Sequence, residues 1–198
     1  MSRRLTFAPA LLAPVAALAL GGCGINSVPT AEENAKARWA DVQNEYQRRA
    51  DLVPNLVATV KGYAKQESSV LTEVTEARAK AGSIQLSADD LKDPAKVQQY
   101  AAAQGRLSAA LVPFRQLQEN YPDLKSNTNF LALQSQLEGT ENRITIARRD
   151  YNTAVQQYNT LIRTFPNSIG AKVFYGAKPM QIFEATTPNA QSAPTVNF

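Results

Sequence analysis

Histidine is missing from this 198-residue chain, and cysteine occurs once. Without histidine there is no Ser-His-Asp triad, no imidazole metal site and no imidazole acid–base catalyst. A lone cysteine excludes an intrachain disulfide and any cysteine cluster for zinc or iron–sulfur. Charge of one sign is also scarce. The formal net charge is +4, 21 cationic against 17 acidic residues, too sparse for a nucleic-acid-binding face. These absences point away from an enzyme, from a resident metal or cofactor, and from nucleic acid as partner. What is plentiful is apolar character, 44% of residues, enough for one domain with a sizeable core.

The apolar residues fall into two regimes. Arg3 and Arg4 precede an apolar run from Leu5 to Leu20 that closes on Gly21-Gly22-Cys23. A basic start, a short apolar stretch and small residues before a cleavage point make a secretory leader. Pro9 and Pro14 interrupt a run already short of the roughly 20 residues that cross a bilayer. Leu20-Gly21-Gly22-Cys23 resembles the lipobox of bacterial lipoproteins, with Gly21 where Ala or Ser is usual. That resemblance implies diacylglycerol on the Cys23 thiol, cleavage before Cys23, and membrane anchoring through acyl chains. Gly24 is not the Asp of an inner-membrane retention signal, so a Gram-negative source implies the outer membrane, facing the periplasm. The expected organisation is a leader over 1–22, a tether over 23–30, a helical bundle over 31–166 and a C-terminal segment over 167–198 packed on the bundle with a loose end.

After the tether the pattern is helical. Trp39, Val42, Tyr46, Ala50, Val53, Val57, Val60, Ala64, Val74 and Ala77 recur at steps of mostly three and four, ending near Gly82-Ser83. Pro54 lies inside this stretch and predicts a kink or break. Asp93-Pro94 starts a second stretch through Leu107, Leu111, Phe114 and Leu117, with Pro113 inside it and Pro122 ending it. A third begins at a cap supplied by Asn127 or Asn129, runs through Phe130, Leu137, Ile144, Tyr151 and Tyr158, and stops at Pro166. Helices with one apolar stripe bury it together. The predicted fold is therefore all-α, an antiparallel up-down bundle of three to four long helices with an irregular C-terminal tail.

Several residues invite a sharper reading. Around Pro54, Arg49, Asp51 and Asn55 form either a partner-binding notch at the kink or a self-contained kink, with Asp51 capping the restarted helix and the arginines pairing with Glu141 or solvent. Glu141-Asn142-Arg143 and Arg148-Arg149-Asp150 read as inter-helix pairs and solvated faces. Tyr151-Asn152 and Tyr158-Asn159 repeat at a spacing of seven, so both pairs face one way. The tyrosines fill core layers while their hydroxyls seek partners, and the asparagines fix helix register. Val196-Asn197-Phe198 has the hydrophobic-x-aromatic form of a terminus captured by PDZ-type domains. The candidate partner-binding residues are thus Arg49, Asp51, Pro54, Asn55, Glu141, Asn142, Asn152, Asn159 and Phe198, with Cys23 as the lipidation site and no catalytic or metal-ligating residue. Trp39 and Val42 are candidate contacts for self-association, on a first helix that outruns its neighbours.

The ordered segments Arg48-Arg49-Ala50-Asp51-Leu52-Val53-Pro54-Asn55-Leu56-Val57, Tyr121-Pro122-Asp123-Leu124-Lys125-Ser126-Asn127, Glu141-Asn142-Arg143-Ile144, Tyr151-Asn152, Tyr158-Asn159, Phe165-Pro166, Phe183-Glu184 and Pro194-Thr195-Val196-Asn197-Phe198 resemble the LemA family from about Trp39 onward. The resemblance implies a helical bundle tethered to a bacterial membrane, with no established enzymatic activity. It also implies relatives in magnetosome membranes or encoded beside envelope protease-like or phosphatase-like proteins. Members usually carry an N-terminal transmembrane segment, and the lipobox departs from that. The expected role is a non-catalytic interaction or scaffold module in the cell envelope, bound to an unknown envelope protein. A self-associating homo-oligomer and an accessory factor for a protease or cell-wall enzyme are the alternatives.

Overall fold

The computed structural model describes residues 26–63 and 67–184. The leader, Cys23 and Phe198 lie outside them. All regular structure among the described residues is helical. Four long helices, α1 (Ser27–Tyr63), α2 (Ser68–Ser83), α3 (Pro94–Asn120) and α5 (Thr128–Leu161), are joined by a 3-10 turn at Asp90–Lys92 and the short α4 (Pro122–Lys125). A short α6 (Asn167–Val173) follows. None of these helices is long and apolar enough to cross a membrane.

The helix signals sit where their chemistry requires. Asp93 caps α3, accepting from the Ala95 and Lys96 amides at 2.9 and 3.4 Å, and Pro94 follows it. Asn127, not Asn129, caps α5 by accepting from the Phe130 amide at 2.9 Å. α1 starts at Ser27, ahead of the expected Ala31, because Val28 is fully buried and holds the first turn on the core.

Pro54 does not break α1. Its missing N–H leaves the Ala50 carbonyl without the usual intrahelical donor, and Arg78 of α2 supplies one, Nε donating at 2.7 Å. The first stretch divides further on, between Tyr63 and Ser68.

Cross-helix contacts fix the topology. α2 folds back antiparallel on α1, so Ala50 meets Arg78 and Gln43 meets Leu86. α3 runs parallel to α1: Glu32 pairs with Lys92, Trp39 packs on Tyr100, and Arg49 bonds Gln104. α5 returns antiparallel, pairing Glu45 with Arg143, Arg49 with Glu141, and Trp39 with Tyr151. The result is the expected up-down-up-down bundle.

Beyond Val28, the buried positions of α1 are Ala35, Trp39, Val42, Tyr46, Arg49, Val53, Leu56 and Val60. They alternate steps of four and three, as in a coiled-coil seam. Arg49 and Leu56 occupy the core positions that the apolar pattern gave to Ala50 and Val57. Trp39 and Val42 are buried as well, with Trp39 among Tyr100, Tyr151 and Phe183. They offer no exposed surface for self-association, because α3, α5 and the C-terminal segment cover that part of α1. The apolar interior divides into two clusters, one around Trp39 and Tyr158 and one around Leu56, Phe114 and Phe130. Arg49 lies between them along α1.

A double-mutant cycle tests how Pro54 is accommodated. Arg78→Ala is expected to cost about 1 kcal/mol in urea denaturation. In a Pro54→Ala background the cost should fall clearly below that, because the restored amide of residue 54 takes the Ala50 carbonyl. Equal costs in both backgrounds would show that Arg78 contributes nothing at the proline.

Candidate functional site

Arg49 is 1% exposed, and four of its five N–H donors are used. Nη1 donates to Ser108 Oγ and, at 3.0 Å, to Glu141 Oε1. Nη2 donates to the Gln104 carbonyl at 3.1 Å and to Gln104 Oε1 at 2.7 Å. Gln104 Nε2 in turn donates to the Ala81 carbonyl of α2 at 3.4 Å. One guanidinium thereby connects all four long helices. Its Nε has no partner, while the Tyr46 ring lies 5.1 Å from its carbon centre. Glu141 keeps 30% of its side-chain surface and opens onto a cleft between α3 and α5. The Arg49–Glu141 pairing is one the sequence reading named.

The far wall of this cleft is the C-terminal segment. After α6 the chain turns at Gly176, whose φ of 53° favours glycine. Residues 177–184 then run extended along α5. Asn159 Nδ2 donates to the Met180 carbonyl at 2.8 Å, and the Met180 amide donates to Asn159 Oδ1 at 2.9 Å. Seven residues earlier, Asn152 repeats the exchange with Phe183 at 2.9 and 2.8 Å. Tyr158 donates to the Lys178 carbonyl at 3.2 Å and Tyr151 to the Gln181 carbonyl at 2.9 Å. Seven helical residues rise about 10.5 Å, and three extended residues span about 10 Å. The heptad repeat is therefore commensurate with every third residue of an antiparallel strap. The Gln181 amide completes the grip, donating to the Leu91 carbonyl at 2.8 Å. Met180 and Phe183 are buried, with Phe183 stacked on Trp39 and its ring 5.0 Å from the Arg148 guanidinium.

The asparagines thus do not set helix register, as the repeat suggested; they hold the strap's backbone. The other candidates are dispersed. Asp51, Pro54 and Asn55 are exposed on α1, away from the buried Arg49 stripe. Asp51 accepts from Gln47 at 2.7 Å and caps nothing, because the helix is never restarted. Asn142 is exposed on α5. Arg49 and Glu141 alone among the candidates meet at the cleft, joined there by Gln104 and Ser108, which the sequence reading had not singled out. Gln104 lies three residues before Leu107 on the apolar stripe of its helix, and a polar residue there is a signal that another buried polar group needs it.

The cleft has a volume of about 1060 Å³ and is lined by Arg49, Gln104, Ser108, Glu141, Arg148 and residues 181–184. Across the strap lies a polar groove of about 910 Å³ along α5, with Thr145, Arg149, Gln156 and Arg163. Farther along the bundle an apolar pocket of about 230 Å³ is enclosed by Leu111, Phe114, Phe130 and Leu137. Among the described residues no three His, Cys, Asp or Glu side chains converge as a metal site would require. Burial pushes the hydroxyls of Tyr46, Tyr100, Tyr151 and Tyr158 upward, away from neutrality.

The profile of the LemA family matches residues 38–198. The chain belongs to the LemA family. It is 26% identical over 157 residues to magnetosome protein MamQ 2 of Paramagnetospirillum magneticum, covering 71% of this chain and 58% of that protein. It is 28% identical over 122 residues to Protein LemA of Metamycoplasma hominis, covering 61% of this chain and 51% of that protein. The chain therefore spans just over half the length of these relatives.

Replacing Asn159 or Asn152 by Ala is expected to accelerate hydrogen exchange of the Met180 or Phe183 amide by roughly ten- to a hundredfold, with the helix amides of α3 little changed. Uniform acceleration throughout the chain would mean that the strap does not open as a separate unit.

The strap also has a predicted alkaline limit. Desolvation raises Tyr158 to about 12, against about 10 in the unfolded chain. The neutral hydroxyl is the form the fold prefers. Its contribution is full below pH about 10 and is lost as pH rises through about 12. Urea midpoints measured from pH 8 to 12 should fall above pH about 10, and Tyr158→Phe should remove part of that fall.

Proposed function

We propose that this LemA-family chain is a non-catalytic interaction module of the bacterial envelope, held at the membrane by acyl chains on Cys23 and offering the α3–α5 cleft to a partner protein. The observation that carries this reading is the cleft itself. It is large enough to admit a peptide segment, and its walls are fixed from three sides by Arg49, by α3 and α5, and by the strap. Preorganised walls reduce the ordering cost of binding. The exposed edge offers both charges, Arg106 and Arg148 against Glu141 and Glu184, which suits a mixed-charge polypeptide better than a small apolar ligand. The lipobox at Cys23 supports anchoring through acyl chains, and the likeness to magnetosome proteins supports a membrane setting.

Photo-crosslinking residues at Gln98 and Thr145, which line the cleft, should trap a discrete adduct in intact cells. The same residue at Thr75, exposed on α2, should not. An adduct between two copies of this chain would replace partner display with self-assembly. No adduct from either cleft position would remove the cleft as a docking site. Mass spectrometry of the processed chain tests the anchor separately: an intact leader without added lipid would exclude acylation at Cys23.

A further inference from the structure

The bundle's exposed apolar surface is concentrated at one end. Phe165, Ile169, Val173, Phe174 and Tyr175 are 80, 57, 69, 67 and 42% exposed, all within 11 residues of chain around α6. α6 turns its small residues, Gly170 and Ala171, inward, and packs against α1. Ile169 and Val173, one turn apart, point away from the bundle. The charge within this stretch of chain is of one sign, while the first turns of α1 at the same end carry Glu32, paired with Lys36 and Lys92, and Glu33, paired with Lys36. Arg163, Lys172 and Lys178 are exposed, and the chain has no acidic residue between Asp150 and Glu184.

The position of this surface follows from helix register. Glu45–Arg143, Arg49–Glu141 and Trp39–Tyr151 set an almost constant antiparallel pairing of α1 with α5. Continued to the end of the bundle, it brings Val28 level with Ile162, where α5 ends and the chain turns toward α6. The apolar, basic surface therefore lies at the end of the bundle where α1 begins. Ser27 follows Cys23 by four residues, a reach of at most about 14 Å.

From this placement we infer that α6 and its flanks form a lipid-facing surface: Phe165, Ile169, Val173, Phe174 and Tyr175 enter the headgroup–acyl boundary of an anionic bilayer while Arg163, Lys172 and Lys178 meet its phosphates. The inference rests on the membrane-held reading for the bundle's orientation, and not on which group supplies the anchor. Apolar and aromatic side chains flanked in their own segment by cations, with Glu32 and Glu33 of the adjoining α1 offset by ion pairs to Lys36 and Lys92, are the composition that interfacial binding selects. A docking protein is the competing occupant. It is disfavoured by the few residues between Ser27 and either anchor, acyl chains on Cys23 or the apolar run that ends at Leu20, which hold this end of the bundle close to the bilayer in both cases. Contact here gives the anchored molecule a second point of attachment, so the bundle stands in a fixed orientation instead of swinging on a tether.

The test uses the full chain purified from membranes and reconstituted in phosphatidylethanolamine–phosphatidylglycerol vesicles with brominated acyl chains. Trp39 is buried and supplies the background emission. In Phe174→Trp, brominated lipid should quench about half of the added emission. In Ile146→Trp, placed on the exposed middle of α5, it should quench almost none. Replacing phosphatidylglycerol by phosphatidylcholine, or adding Lys172→Glu and Lys178→Glu, should weaken quenching at position 174. Equal and negligible quenching at both positions in a vesicle-bound chain would overturn the inference, and so would a protein crosslinked at position 174 in cells without quenching in vesicles. Mass spectrometry of the same sample reads the anchor independently. Quenching at position 174 without acyl chains on Cys23 would leave this surface standing and remove the lipoprotein reading.

Discussion

The bundle is organised around a guanidinium placed where a coiled-coil seam expects an apolar side chain. Arg49 continues the four-three alternation of Trp39, Val42, Tyr46, Val53 and Leu56, and its burial divides the interior into two apolar clusters. Burying a charge is costly unless geometry and hydrogen bonds compensate. Here the compensation comes from Gln104, Ser108 and Glu141, on two other helices. A seam of apolar residues alone tolerates sliding by a heptad, because one layer resembles the next. A sliding helix would carry Arg49 into one of the apolar clusters and strand its partners. The polar layer therefore specifies one register for α1, α3 and α5. It also bridges α3 and α5 across a gap, with a partly exposed Glu141 at its rim, and so provides the floor of the cleft.

The strap is the second consequence of periodicity. A helix presents equivalent positions every seven residues, and three residues of extended chain cover a matching distance. Tyr151-Asn152 and Tyr158-Asn159 exploit that coincidence to bind four peptide units on the main chain alone. Side-chain identity enters only through Met180 and Phe183, which seal the aromatic layer around Trp39. One turn of α5 farther toward its start, Arg148 takes over from the asparagines, donating to the Glu184 carbonyl at 3.0 Å. Backbone recognition of this kind satisfies amide groups that burial would otherwise leave unpaired.

Local chemistry was legible in the sequence, and pairings between distant segments were not. The caps at Asp93 and Asn127, the end of α2 near Ser83 and the extended course of the segment after α6 follow from neighbours within a few residues. Pro54 does not break its helix, and the reason could not be read locally, because the donor that replaces its amide is Arg78, 24 residues away in the chain and adjacent only after α2 folds back. Arg49 was left off the apolar stripe, whose position went to Ala50, because charge normally faces solvent. The clue was Gln104, a second polar residue inside an apolar pattern. The tyrosine–asparagine repeat was visible, yet its partner could not be read, since any extended backbone satisfies it. α6 went unnoticed as a helix because seven residues give too short a window for periodicity.

These elements make the two ends of the proposed function mechanically continuous. The strap begins one turn of chain after α6 and ends as a wall of the cleft. Between those points its backbone is bonded to α5 at Lys178, Met180, Gln181 and Phe183 and to Leu91. Moving α6 relative to the cleft would require breaking several of these bonds together with the burial of Met180 and Phe183. The direction the cleft faces is consequently tied to the direction α6 faces. A molecule oriented through α6 holds its cleft at a defined height and angle, and the Arg49 layer keeps that cleft open whether or not anything occupies it.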